Sequence, residues 1–287
     1  MPLDYDYLMG MPPLETFQRF AVRDTILYAL GVGAASEAPS DPAELQFVYE
    51  ENLKALPTMA VVLAYPGFWA KDPKYKLTWQ KLLHGEQSLE IHQPLPVAGE
   101  FRGLTTIDAI YDKGAEKGAI LHSSRKILDA TGAPLATVRQ AVFLRGDGGF
   151  GGSSQGAPKP HPIPTRPPDT SVELRTRADQ ALLYRLSGDL NPLHVDPKVA
   201  VGAGFAAATL HGLASYGIVG RGLLRVLCDN EPHRVRRLDV RFTNPVYPGD
   251  TLLVEIWREG TERAAFRARV LARDCVALQN GLIEFDA

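Results

Sequence analysis

The chain has 287 residues, with 31 basic and 33 acidic side chains and a formal charge of -2 at pH 7. That balance leaves no polybasic surface for nucleic acid or an anionic membrane, so neither is an expected partner and a small molecule is. The length allows one large domain or two smaller ones, and two halves are expected.

The start, Met1-Pro-Leu-Asp-Tyr-Asp6, lacks the basic region and long apolar run of a secretory signal. No run of eighteen apolar residues follows, so no membrane span is expected. Gly31-Val-Gly33 does not extend to the dinucleotide fingerprint. Leu89 and Ile91 alternate as a strand would, and the turn Pro94-Leu-Pro-Val-Ala-Gly99-Glu100 opens a second strand, Phe101 to Ile110. The clearest break is Gly146-Asp-Gly-Gly-Phe-Gly-Gly-Ser-Ser-Gln-Gly156, followed by Pro158, Pro160, Pro162, Pro164, Pro167 and Pro168. Glycine frees the backbone and proline denies it ladder hydrogen bonds, which predicts an extended crossing linker. The stretch lacks the Gly-Lys-Ser/Thr end of a phosphate loop, so no nucleotide cofactor is expected. The chain is therefore divided into 1–147, a linker 148–170, and 171–287.

In the second half Val172 to Ala181 leads into a loop, and a long helix is predicted from about His211 to Leu227. Its Leu213, Tyr216, Val219, Leu223 and Leu227 fall at helical spacing. Gly217, Gly220 and Gly222 lower its propensity and suit a helix gripped closely by a curved sheet. Period-two strands follow: Leu238, Val240 and Phe242, then Leu252, Val254 and Ile256, then Phe266, Ala268 and Val270. Pro245-Val-Tyr-Pro-Gly249-Asp250 opens Thr251 to Trp257 much as the earlier turn opens Phe101 to Ile110, which reads as a degenerate internal duplication. One long helix with antiparallel strands is an α+β pattern. Nothing in the first half matches the loop and long helix of the second, so one active site per chain is expected. Cys228 and Cys275 have no metal-ligand spacing and no disulfide framework, which fits a reducing cytosol. The end, Glu284-Phe-Asp-Ala287, is not a Ser-Lys-Leu-like address, and a cytoplasmic location is expected.

Chemistry concentrates in Ser187-Gly188-Asp189-Leu-Asn191-Pro192-Leu-His194. Five residues apart on a helix, Asp189 and His194 would diverge, and Pro192 disfavours helix at Asn191. A turn brings them together, with Gly188 supplying the bend and Asn191 bonding local backbone or holding the Asp189 carboxylate. An imidazole beside a carboxylate handles protons in both directions, as adding water to a double bond conjugated to a thioester requires. Such a reaction also needs a donor for the enolate oxygen. Gly212, at the start of the long helix, offers a backbone N–H with no intrahelical acceptor. Asp196, before Pro197, is read as an N-cap and left out of the site. Asp189, His194, Asp196 and His211 have no recognised metal-ligand spacing, so no metal is expected.

These segments, with Leu210-His211-Gly212-Leu213 and Phe242-Thr-Asn-Pro-Val-Tyr-Pro-Gly249-Asp250, closely resemble the MaoC-like hydratases. More narrowly they resemble the (R)-specific enoyl-CoA hydratase 2, as in the hydratase part of peroxisomal multifunctional enzyme type 2. Tyr28-Ala-Leu-Gly-Val-Gly33, Leu83-His84-Gly85-Glu86-Gln87, Asp112-Lys113-Gly114 and Gly148-Gly-Phe-Gly-Gly152 extend the resemblance over nearly the whole chain. It implies a double hotdog fold, a sheet wrapped round a central helix, with no full central helix in the first repeat, leaving room for an acyl chain. It implies reversible hydration of trans-2-enoyl-CoA to (3R)-3-hydroxyacyl-CoA without metal or redox cofactor. Asp189 and His194 would hold the water, Asn191 would support them, and Gly212 would polarise the thioester. His84, Gly85, Lys113 and Phe242 match positions that contact acyl-CoA. An inserted Ala115-Glu116 departs from the pattern beside Lys113, and no fused dehydrogenase or sterol-carrier domain is expected. The rivals are a hotdog thioesterase, which would usually carry its carboxylate on the central helix, and a catalytically silent acyl-CoA-binding subunit. A homodimer is also expected.

Overall fold

A computed structural model describes residues 3–287. Five strands lie before the linker: β1 (Leu14–Phe20), β2 (Leu82–Ile91), β3 (Gly99–Asp112), β4 (Ala119–Leu128) and β5 (Pro134–Leu144). Five follow: β6 (Thr170–Arg175), β7 (Val235–Phe242), β8 (Thr251–Arg258), β9 (Arg263–Val270) and β10 (Cys275–Phe285). The helices are α1 (Tyr5–Met9), α2 (Val22–Gly31), α3 (Pro42–Leu45), α4 (Gln180–Tyr184), α5 (Pro197–Gly202) and α6 (Gly212–Leu227).

All the strands form one antiparallel sheet in the order β1-β3-β4-β5-β2-β7-β10-β9-β8-β6. Read inward from either edge, the order is first, third, fourth, fifth, second strand of a half. The duplicated turns sit at the same place in each half, opening β3 and β8. The halves join at β2 and β7, with Leu89 opposite Leu238 and Gln87 opposite Val240. This is the expected α+β double hotdog. In the second half the sixteen-residue α6 occupies the connection before the joining strand; in the first, among the described residues, no helix of that length stands there, and the connection carries α2, α3 and short 3-10 helices, among them Pro57–Val61. The first half is not empty of helix, however: α2, ten residues long, follows β1 and packs on α4. The segment expected as a lead into a loop is also ordered, as β6 and α4.

One apolar core crosses both halves, with Tyr28, Phe47 and Met59 from the first and Tyr216, Leu223 and Val254 from the second. The glycines of α6 explain the close fit. A Cβ on Gly217 would meet Val32, one on Gly220 would meet Thr58, and one on Gly222 would meet Leu174 of β6. Two of the three therefore face first-half segments rather than the sheet. Arg221 of α6 forms a buried ion pair with Glu44 of α3 at 3.0 Å, tying the halves again.

The Gly-rich linker is held rather than free. Asp112, buried at the end of β3, accepts N–H bonds from Gly114, Gly149 and Gly151, each at 2.8 Å. Gly114, Gly149 and Gly151 have φ of 90°, 84° and 84°, which other residues rarely adopt. These donors hold the Asp112 carboxyl below its usual range. The proline run crosses the outer face of the second half, where Trp257 Nε1 donates to Arg166 O at 2.7 Å and Asn280 Nδ2 to His161 O at 2.7 Å. A hollow of about 520 Å³ lies there, lined by Ile163, Pro168, Trp257 and Gln279 among others and away from the residues singled out for chemistry.

Candidate active site

After α4 the chain makes a 3-10 turn at Arg185–Ser187, which Gly188 ends in the left-handed region at φ 117°. Asp189 follows on the surface, and its carboxylate accepts the backbone N–H of Asn191 at 3.1 Å. Asn191 in turn caps the next 3-10 helix, Pro192–His194, its Oδ1 accepting from Leu193 N at 3.1 Å. Proline at the first helical position suits this cap, since its missing N–H is not needed there. Asn191 thus supports Asp189 through its backbone, while its side chain shapes the turn that delivers His194. Asp196 accepts from Lys198 N and caps α5, as expected from Pro197.

The turn brings together what spacing alone separates. Ligand-capable atoms of Asp189, His194 and His211 all lie within 4.8 Å of one another. Asp189 is exposed and His194 half-buried, so solvent reaches the pair. His194 Nδ1 lies 2.9 Å from Thr209 O. A carbonyl only accepts, so Nδ1 carries the proton and Nε2 of the neutral ring offers a lone pair. Burial lowers the His194 pKa, which keeps the ring neutral at pH 7.

His211 is the residue that sequence reading placed as the opener of the long helix and weighed otherwise only as a metal ligand. Its ring stacks on His194 with centroids 3.7 Å apart and planes at 29°. Its Nε2 lies 3.1 Å from Asp189 O, so Nε2 is the donor, while Nδ1 is buried without a partner. Burial and the neighbouring His194 push its pKa down to about 4. The adjoining Gly212 begins α6, and its N–H points out of the helix end, where the dipole favours negative charge. A Cβ on Gly212 would come within 3.3 Å of the Phe242 ring.

Three of the four expected substrate contacts meet at the junction of the halves. Gly85 is a β-bulge residue: His84 lies opposite Val142, yet Glu86 lies opposite Ala141. The extra residue puts His84 and Glu86 on opposite faces, and any side chain at Gly85 would strike the Phe143 ring. His84 packs on Phe242, centroids 4.9 Å apart, and burial lowers its pKa to about 4. Glu86 turns to the other face and pairs with Arg241. Lys113 is not brought to this group. It donates to Ser154 O at 2.5 Å and lies over Tyr111, tying the end of β3 to the linker.

Ligand-capable atoms of Asp189, His194 and His211 are close enough together to hold a metal ion as well as a water. One nitrogen of each ring is bonded to a carbonyl, which leaves His194 Nε2 and His211 Nδ1 free. A carboxylate, a neutral imidazole and a helix-end N–H together fit proton transfer next to a developing oxyanion.

Comparison with known proteins matches residues 18–146 to the MFE-2 hydratase 2 N-terminal domain and residues 160–279 to the MaoC like domain. The 3-hydroxyacyl-thioester dehydratase Y of Mycobacterium tuberculosis is 40% identical over 92% of this chain and 92% of its own. The peroxisomal multifunctional enzyme type 2 of Mus musculus is 40% identical over 91% of this chain, which spans 36% of that longer protein. The crystal structure of a MaoC-like dehydratase from Phytophthora capsici superposes with a TM-score of 0.87 at 34% identity, covering 98% of this chain and 99% of that one.

Proposed function

The chain belongs to the MaoC-like hydratase 2 family, and from that membership we propose that it adds water reversibly to trans-2-enoyl-CoA, giving (3R)-3-hydroxyacyl-CoA, in fatty-acid or related acyl-CoA metabolism. The observation that carries this reading is the meeting of Asp189, His194 and His211 within 4.8 Å beside the first N–H of α6. A water held between Asp189 and His194 loses a proton to the pair as its oxygen bonds to C3 of the acyl chain. The electrons of the C2–C3 double bond move toward the thioester, whose oxygen is held by Gly212 N–H. A proton from the pair then reaches C2. One water is consumed, nothing is oxidised or reduced, and no cofactor enters the balance.

His84, Gly85 and Phe242 contact the acyl-CoA in this proposal, and Lys113 does so from the linker side. Residues 1–147 accommodate the acyl chain and 171–287 carry the chemistry, with 148–170 joining them. The absence of any acidic residue from α6 speaks against the thioesterase alternative, and the assembled pair against a silent subunit. Among the described residues no helix is long and apolar enough to cross a membrane. Two free cysteines suit a reducing compartment such as the cytoplasm, and a homodimer is the proposed assembly.

Mixing purified protein with an enoyl-CoA should abolish the absorbance of the conjugated thioester and yield the 3R product on chiral analysis. Asp189→Asn and His194→Ala should each fold yet lose about 10²–10⁴-fold in hydration, while Asp196→Asn keeps it. Unaltered turnover in both site variants, or thioester cleavage in place of hydration, would end the proposal.

A further inference from the structure

The buried face of the first half's sheet carries a polar band that the hydration chemistry does not use. β4 turns Leu121, Ser123, Arg125 and Ile127 to that face. Leu121 belongs to a small apolar cluster under the chain start and Ile127 to the main core. Ser123 and Arg125, 2% and 5% exposed, lie between the two. Neighbouring strands continue the band: Thr105 is opposite Arg125, Gln140 opposite Ser123, and Gln87 opposite Gln140. A sheet face serving only as core would be apolar throughout.

Arg125 is the costly member. Its Nη2 donates to Val61 O at 2.7 Å and, more weakly, to Ala60 O at 3.4 Å, at the end of the 3-10 helix Pro57–Val61. Its Nε is buried without a partner, and so is Thr105 Oγ1 across the strand. Among the described residues no carboxylate neutralises it; the Tyr65 ring, 5.2 Å from the guanidinium, is its one charge-relevant neighbour. Burial lowers the guanidinium only to about 10, so it stays charged at neutral pH. Two carbonyls satisfy one nitrogen and leave a buried positive charge with a free donor. The guanidinium is not far from solvent, because the Tyr65 ring against it remains 40% exposed. The charges of Arg125 and Asp189 act in opposite senses on the Tyr65 hydroxyl, which lies between their fields. From His84 to Arg125 is two strands across and four residues along, on the order of 15 Å in a flattened sheet. An extended acyl chain of moderate length covers that distance.

We propose that Arg125, with Thr105 and Tyr65, is a subsite for a carboxylate at the far end of the acyl chain, so that the preferred substrates are enoyl-CoA thioesters ending in a second carboxylate. This rests on the hydratase reading above. A guanidinium with an unused N–H recognises a carboxylate by charge and by paired hydrogen bonds, and a methyl-ended chain would leave both unmet.

The test compares kcat/KM of the unaltered enzyme on trans-2-enoyl-CoA pairs of graded length, ending in methyl or in carboxylate. At the matching length the carboxylate-ended substrate should be favoured about tenfold or more. Arg125→Met should remove the preference while still hydrating the methyl-ended substrate, and Arg125→Lys should keep part of it. Equal or poorer turnover of carboxylate-ended substrates at every length overturns the subsite and leaves the hydratase reading intact. An equal gain from a terminal hydroxyl also overturns the anion assignment. Failure to hydrate either series sinks both. The comparison on the unaltered enzyme decides the matter even if the variants do not fold.

Discussion

His211 shows how a single residue acquires a role that its neighbours in sequence do not announce. Its Nε2–H holds the backbone carbonyl of Asp189, twenty-two positions earlier, and its ring lies flat against His194. It touches both members of the proposed pair and fixes their separation without facing the bond being made, so it is a positioning residue. His211→Ala should lower kcat by about 10- to 100-fold with KM little changed, because small misplacement of reacting groups is costly. His211→Asn keeps a donor toward Asp189 O and should recover part of the loss. A rise in KM with kcat preserved would instead place His211 in substrate binding. Asp189 and His194 were legible in the sequence because five-residue spacing with a proline between them admits a turn and excludes a helix. The His211 contact was not, since nothing local links a helix opener to a carbonyl on a distant turn. Arg125 was equally hidden: on paper it is one more charged residue in an alternating strand, and only burial between two apolar clusters makes it unusual.

At the level of elements, α6 owes its place to contacts with both halves. Its apolar period predicted the helix to within one residue, and its glycines predicted close packing. Which surfaces come close was not readable, and two of the three turn out to be Val32 and Thr58 of the first half. The Glu44–Arg221 pair sits at the same boundary, with both side chains under 8% exposed. Glu44 Oε2 also accepts Ala35 N at 3.0 Å, so removing its charge strands more than one partner. Glu44→Leu leaves a buried guanidinium unpaired and should cost about 3–5 kcal/mol in urea unfolding. The paired change Glu44→Leu with Arg221→Met should recover much of it. A single substitution costing under about 1 kcal/mol would show that the pair is not what holds α6 against α3.

For the molecule as a whole, two histidines shielded from water, His211 buried and His84 half-buried, set a pH limit. His84 and His211 have pKa values lowered to about 4 from an ordinary 6.5, chiefly by burial. Between those values the unfolded chain binds more protons than the folded one, so stability is full above pH 6.5 and falls as the pH drops toward about 4. The urea midpoint should therefore be lower at pH 5 than at pH 7.5. His84→Gln combined with His211→Asn should flatten that difference; an unchanged pH dependence in the double variant would assign the effect to other groups.

The order of elements, the repeated turn before β3 and β8, the long helix and the Asp189–His194 turn were all determined by local sequence. Each depends on backbone preference or on side-chain period within a dozen residues. The tertiary structure alone decided that β2 and β7 join the halves into one sheet, that the Gly-rich linker is pinned on Asp112, that a bulge at Gly85 sends His84 inward, and that His211 and Arg125 meet their partners. Those contacts form between segments tens to hundreds of residues apart. Their energy comes from burial and from pairing polar groups away from water, and neither exists until the sheet has closed around α6.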